Sequence, residues 1–88
     1  LNREHRSILL EAEEIVNGSR NCDYGDSNDN LENIATIARS LGVNIDGAGV
    51  CRVMIAVKLG RQKFKHKRDN LVDACGYLEM LNRWEDRT

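Results

Sequence analysis

Two residues sit on helix faces that are otherwise apolar, and they carry opposite charges. On its helical wheel Lys58 falls between Met54 and Cys51, inside an apolar arc and away from Arg52. Asp73 falls between Met80 and the edge made by Tyr77 and Trp84, with Asp69 one turn before it. A buried carboxylate is costly unless it is paired, so Lys58 or Arg61 is the expected partner of Asp73. A lysine near a helix C-terminus can also lay its stem over the core and keep its charge in water. The chemical reading is a lysine aimed at a carboxylate or a phosphate inside the bundle. Glu11 and Glu14 form a second constellation, three residues apart on one helix. Two carboxylates at that spacing can share a hard divalent cation such as magnesium, or simply line a solvated rim.

Positive charge gathers elsewhere. Arg61, Lys63, Lys65, Lys67 and Arg68 flank Phe64 and His66. Such a run is either a solvated loop or a phosphate-capturing segment beside the next helix, whose free N–H groups favour anions. The stretch Arg20-Asn21-Cys22-Asp23-Tyr24-Gly25-Asp26 combines charge, an aromatic ring and a glycine; as pure structure it is a turn at Gly25 followed by a capping Asp26 or Ser27. No Ser/His/Asp or Cys/His arrangement and no phosphate-binding glycine loop suggests another chemistry. With only four aromatic residues, a stacking platform for single-stranded nucleic acid is not expected.

The elements that must position these groups are helices. The chain has 88 residues, enough for one domain spanning 1–88, and its 41% hydrophobic and 31% charged content suits a globular fold. Its longest apolar run, Val53–Val57, is far shorter than the roughly 20 residues of a membrane span. Nothing at the start reads as an export signal. Three cysteines without a C-x-x-C pair argue against a disulfide framework or a zinc site, and a cytoplasmic location is expected. The net charge of −1 hides a split: residues 1–50 carry −5, residues 51–68 carry +7, and the remainder −3. The basic segment could hold a phosphate or pair with the acidic half, within one chain or between chains.

Proline is absent, and four segments show helical periodicity. The first runs from Asn2 or Ser7 to Asn17, with Gly18 as the residue just past its end. The second follows Asp29, with Glu32 completing a capping box, and ends at Leu41 before Gly42. The third starts after Asp46 and stops at Leu59 before Gly60; being apolar nearly all round, it is expected at the centre. The fourth starts after Asp69, read as its N-cap, and runs to Trp84 or Glu85. The fold class expected is all-α, a four-helix bundle-like domain. So small a chain with so apolar a third helix suggests completion by a homo-oligomer, most simply a dimer.

The segments Arg20-x-x-Asp23-Tyr24-Gly25-Asp26, Lys58-x-x-Arg61 and His66-x-x-Asp69-Asn70-x-x-Asp73-x-x-Gly76-Tyr77 resemble a family of small phage and prophage proteins of unknown function. The resemblance spans roughly Ile8 to Leu81 and implies an all-α fold acting in a bacterial host. It marks Arg20, Asp23, Tyr24, Asp26, Arg61, His66, Asp69 and Tyr77 as candidate ligand-binding residues, beside Lys58 and Asp73. A more distant similarity is to MazG-type nucleotide pyrophosphohydrolases, which bind magnesium through an E-x-x-E pair and a later E-x-x-D pair. Glu11-Ala12-Glu13-Glu14 is similar to the first; Asn70-Leu71-Val72-Asp73 stands where the second belongs, with Asn70 replacing a charged ligand. That similarity implies Glu11, Glu14, Asn70 and Asp73 as a magnesium set, and oligomeric assembly.

Two readings follow. In the first, a MazG-like helical protein binds a nucleotide or related phosphate compound. Lys58, Arg61 and Arg20 neutralise it, Lys58 and Asp73 stand at the catalytic position, and magnesium-assisted attack of water on phosphorus is the chemistry open to it. In the alternative, the chain is a non-catalytic phage protein that binds a host protein. Lys58–Asp73 is then a structural pair, and the basic loop meets an acidic partner.

Overall fold

Ser7 opens the first helix, its hydroxyl accepting a hydrogen bond from the Leu9 N–H at 3.2 Å. This helix, α1, covers Ile8–Asn17 and buries Ala12 and Val16. The others are α2 (Ser27–Ser40), α3 (Gly47–Phe64) and α4 (Arg68–Arg87) in a computed structural model that describes residues 6–18 and 27–87. The all-α, bundle-like class is observed: the described residues contain helices and no strand. None of these helices is long and apolar enough to cross a membrane.

Local chemistry sets most helix ends. After α2 the Gly42 N–H donates to the Arg39 carbonyl at 3.0 Å and the Val43 N–H to the Ala38 carbonyl at 2.9 Å. This is a Schellman ending, and it needs the left-handed backbone that Gly42 adopts at φ 94°. Asp46 caps α3, its carboxylate accepting from the Gly49 N–H at 2.8 Å.

Other boundaries differ from expectation. The second helix begins at Ser27, so Asp29 is a first-turn acid and not the cap. The fourth begins at Arg68, which puts Asp69 in its first turn too, where the dipole still favours a carboxylate. Gly18 follows α1 at φ −104°, outside the left-handed region. The third helix does not stop at Leu59 but continues through Gly60 to Phe64. A helical glycine costs only about 1 kcal/mol relative to alanine, and the good helix formers Arg61, Gln62 and Lys63 carry the helix on.

Helix α4 packs against each of the other three. Helix α3 runs antiparallel to it, with Gln62 beside Asn70, Lys58 beside Asp73 and Arg52 beside Glu85. Helix α1 runs parallel to α4: Glu11 meets Arg68, Val16 lies against Gly76, and Asn17 meets Arg83. Helix α2 covers the first half of α3, where Leu31 and Ala35 cluster with Val50 and Cys51. Ile45, Met54, Met80, Leu81 and Trp84 close around that cluster. Contact is tight at the start of α3: a Cβ added at Gly47 would lie 2.6 Å from the Trp84 ring.

The hub is therefore α4. The third helix, expected at the centre, leaves Val53, Val57 and Leu59 exposed. One helix covers half its length, and nothing described covers the rest of that side.

Candidate functional site

The two charges picked out by their apolar neighbours meet. Lys58 Nζ lies 2.9 Å from Asp73 Oδ2, and the two side chains are 15% and 21% exposed. The antiparallel α3–α4 hairpin makes this contact, placing the last turns of one helix beside the first turns of the next. Arg61, the other candidate partner for Asp73, is exposed and forms no ion pair among the described residues.

One turn beyond Lys58, Gln62 organises the hairpin turn. Its Oε1 accepts from the Lys67 N–H at 3.0 Å and from Asn70 Nδ2 at 3.5 Å, and its Nε2 bonds the His66 ring at Nδ1. Asn70 is thereby buried with a partner, as a buried amide requires. The amide network holds the basic segment in one shape, with Arg61, Lys63, Lys65 and Lys67 all exposed around it.

Arg68 behaves differently from its basic neighbours. Its Nη2 donates to the Arg6 carbonyl at 2.7 Å and pairs with Glu11 Oε2 at 2.9 Å. Its Nη1 is buried with no hydrogen-bond partner, leaving part of a cation desolvated at the start of α4. Glu14 is taken by Arg6.

Each of the proposed magnesium ligands thus has a partner of its own. Glu11 faces Arg68, Glu14 faces Arg6, Asn70 faces Gln62 and Asp73 faces Lys58. Among the described residues no three His, Cys, Asp or Glu side chains stand close enough together to hold a metal ion. As arranged, these residues do not fit a magnesium site. Asp69 and His66 are exposed near the turn, and Tyr77 is half-buried one helical turn after Asp73. Arg20, Asp23, Tyr24 and Asp26 lie outside the described residues.

Sequence reasoning had no role for Gln62 and read Arg68 as part of a run that was either a solvated loop or a phosphate-capturing segment. The four-residue spacing of Gln62, His66 and Asn70 was a usable signal for the first. The second had none, because the partner of Arg68 comes from a helix more than fifty residues away. Away from the turn, Cys51 is fully buried in the α2–α3 cluster. Burial pushes its thiol up to about 11, with Arg52 pulling weakly the other way.

Residues 7–85 match the family described as a domain of unknown function, DUF6378. The chain belongs to this family. It is 40% identical over 82 residues to the Gene 55 protein of Mycobacterium phage L5, covering 90% of this chain and 53% of that one. It is 34% identical over 79 residues to the Gene 55 protein of Mycobacterium phage D29, covering 88% and 52% respectively. The chain thus spans about half the length of these phage relatives. No solved structure matches it. Membership accounts for the resemblance to small phage proteins of unknown function; the further similarity to MazG-type enzymes has no counterpart among these matches.

Proposed function

We propose that this DUF6378 domain binds a nucleotide or related phosphate compound at the α3–α4 turn. The observation that carries the reading is that the basic segment Arg61–Arg68 runs directly into the start of a twenty-residue helix. Among the described residues Arg61 is exposed and forms no ion pair, and Arg68 has a buried N–H with no acceptor. Backbone N–H groups at the α4 start add to the attraction for an anion. Lys58 is a weaker candidate for direct contact because Asp73 already neutralises it, and its role in this reading is to hold the two helix ends together. The reading stops at binding. Magnesium-assisted hydrolysis would require Glu11, Glu14 and Asp73 to leave their cations and converge.

Thermal unfolding in the presence of inorganic phosphate and a panel of nucleotides tests this, with and without magnesium. A ligand that binds only the folded state raises its stability by roughly 2.7 kcal/mol at a hundred times its Kd. The expected result is a rise in Tm without magnesium, lost in Arg61→Gln, at a residue that is exposed and forms no ion pair among the described residues. No rise with any compound at millimolar concentration (about the weakest affinity of interest) removes the proposal.

The second reading, a non-catalytic protein that binds a host protein, draws support from a different feature. Between α1 and α4 runs a groove floored by Leu9, Ala12, Cys75 and Leu78, in which Leu9 and Leu78 are more than half exposed. If phosphate and nucleotides leave the Tm unchanged, this becomes the better account.

A further inference from the structure

The exposed side of α3 has a regular spacing. Val53, Val57, Gly60 and Phe64 follow one another at four, three and four residues, the repeat that faces a partner helix in a two-stranded coiled coil. Val53 is 51% exposed and Phe64 92%, while a side chain at Gly60 would meet nothing within 4 Å. The stripe is bounded: Val50, the next position towards the N-terminus, is already buried under α2. On α2 Ile34 and Ile37 are exposed, and Leu41, just past its end, is exposed as well. On α3 the stripe lies roughly opposite the Cys51, Lys58 and Gln62 side that faces α4. A run of apolar residues spaced along one helix face differs from the singly scattered exposure normal for a monomer.

We infer that this face is closed by a second copy of the chain, with the two α3 helices packed antiparallel across a two-fold axis. Charge selects both the partner and the direction. No acidic residue occurs between Asp46 and Asp69, and Arg61, Lys63, Lys65 and Lys67 crowd the C-terminal end of α3. Parallel pairing would lay these cations beside their own copies. Antiparallel pairing sets them opposite the Gly47–Val57 half, whose single cation, Arg52, is already paired with Glu85. The helix dipoles then oppose, and the basic end of one copy approaches the Asp46-capped start of the other. The sizes also match under that symmetry. Phe64 falls over the partner's Val53, and Val57 falls over the partner's Gly60, whose missing side chain lets the helices approach. The contact is isologous, each α3 giving the same stripe to its copy.

Light scattering on the intact chain at tens of micromolar (roughly, above common micromolar affinities) should give twice the chain mass. Phe64→Glu and Val57→Glu should each halve that mass and leave the helical circular dichroism unchanged. Phe64→Glu cannot fail through misfolding of the monomer, since the ring touches almost nothing within it. Direction is read separately, with Cys22 and Cys75 replaced by serine. Mixing Val53→Cys chains with Phe64→Cys chains should give a mixed disulfide on oxidation, in preference to Val53→Cys joined to itself. A monomeric wild-type chain, a dimer that survives both glutamate variants, or self-linked Val53→Cys in place of the mixed product overturns the inference. The test does not involve phosphate binding, so either proposal can fail alone.

Discussion

Lys58 and Asp73 each make the other tolerable. Their contact is partly shielded, so its value lies between that of an exposed pair, about 0–1 kcal/mol, and that of a fully buried pair broken from one side, about 3–5 kcal/mol. Lys58→Met should cost about 2–3 kcal/mol by urea denaturation on that scale. Adding Asp73→Leu should return much of the loss, because the stranded carboxylate goes with it. A double variant no better than the sum of the singles would show that the pair is not coupled. Cys51 gives a second residue-level expectation. Its folded-state thiol holds its proton more tightly than the unfolded one, so its contribution to stability is complete below pH 9 and falls away as pH rises towards 11. Cys51→Ala should remove that alkaline slope, seen by comparing unfolding midpoints at pH 8 and pH 10.5 (roughly either side of the unfolded thiol pKa).

Helix ends and helix contacts are governed by different parts of the sequence. The Asp46 cap is local, and Asp46→Ala should lower stability by about 1 kcal/mol without moving any contact. Gly47, one residue later, answers to a long-range constraint. Propensity alone would make Gly47→Ala mildly favourable, yet the added methyl would strike the Trp84 ring at 2.6 Å. Gly47→Ala is therefore expected to destabilise by about 1–3 kcal/mol, as overpacking does, and to shift the emission of the single tryptophan. An increase in stability would mean that α3 and α4 are less tightly joined at this end. At the other end the Gln62 network does the joining, and it gives the basic turn a fixed shape.

Across the whole molecule the four helices are unequally secured. The α2–α3–α4 unit shares Leu31, Cys51, Met80 and Trp84. Helix α1 buries only Ala12 and Val16, and is otherwise tied to α4 by Glu11–Arg68 and Asn17–Arg83 at its two ends. Partly exposed polar ties contribute little, so α1 should open at lower free energy than the rest. Hydrogen exchange is expected to show weaker protection for α1 amides than for the α3–α4 hairpin, with the gap widening as salt is raised. Equal protection would place α1 inside the same cooperative unit. Mobility of α1 would bear on the proposed phosphate site, because Glu11 is the group that holds Arg68.

Much was legible without any structure: the number and kind of helices, the Ser7 and Asp46 starts, the Gly42 stop and the Lys58–Asp73 pairing. All of these depend on neighbours within a turn or two, or on a short connection that forces two helices to run antiparallel. Lys58 and Asp73 could be matched because each broke an apolar arc at the same level of one hairpin. The longer connection after α1 imposes no such direction. Its parallel course along α4, and with it the capture of Glu11 by Arg68, follows from packing alone. Periodicity likewise marked α3 as apolar on nearly every side but could not say which sides have neighbours. Only the tertiary arrangement decides that, because burial is a property of what surrounds a helix, and α2 is too short and too far towards one end to surround this one.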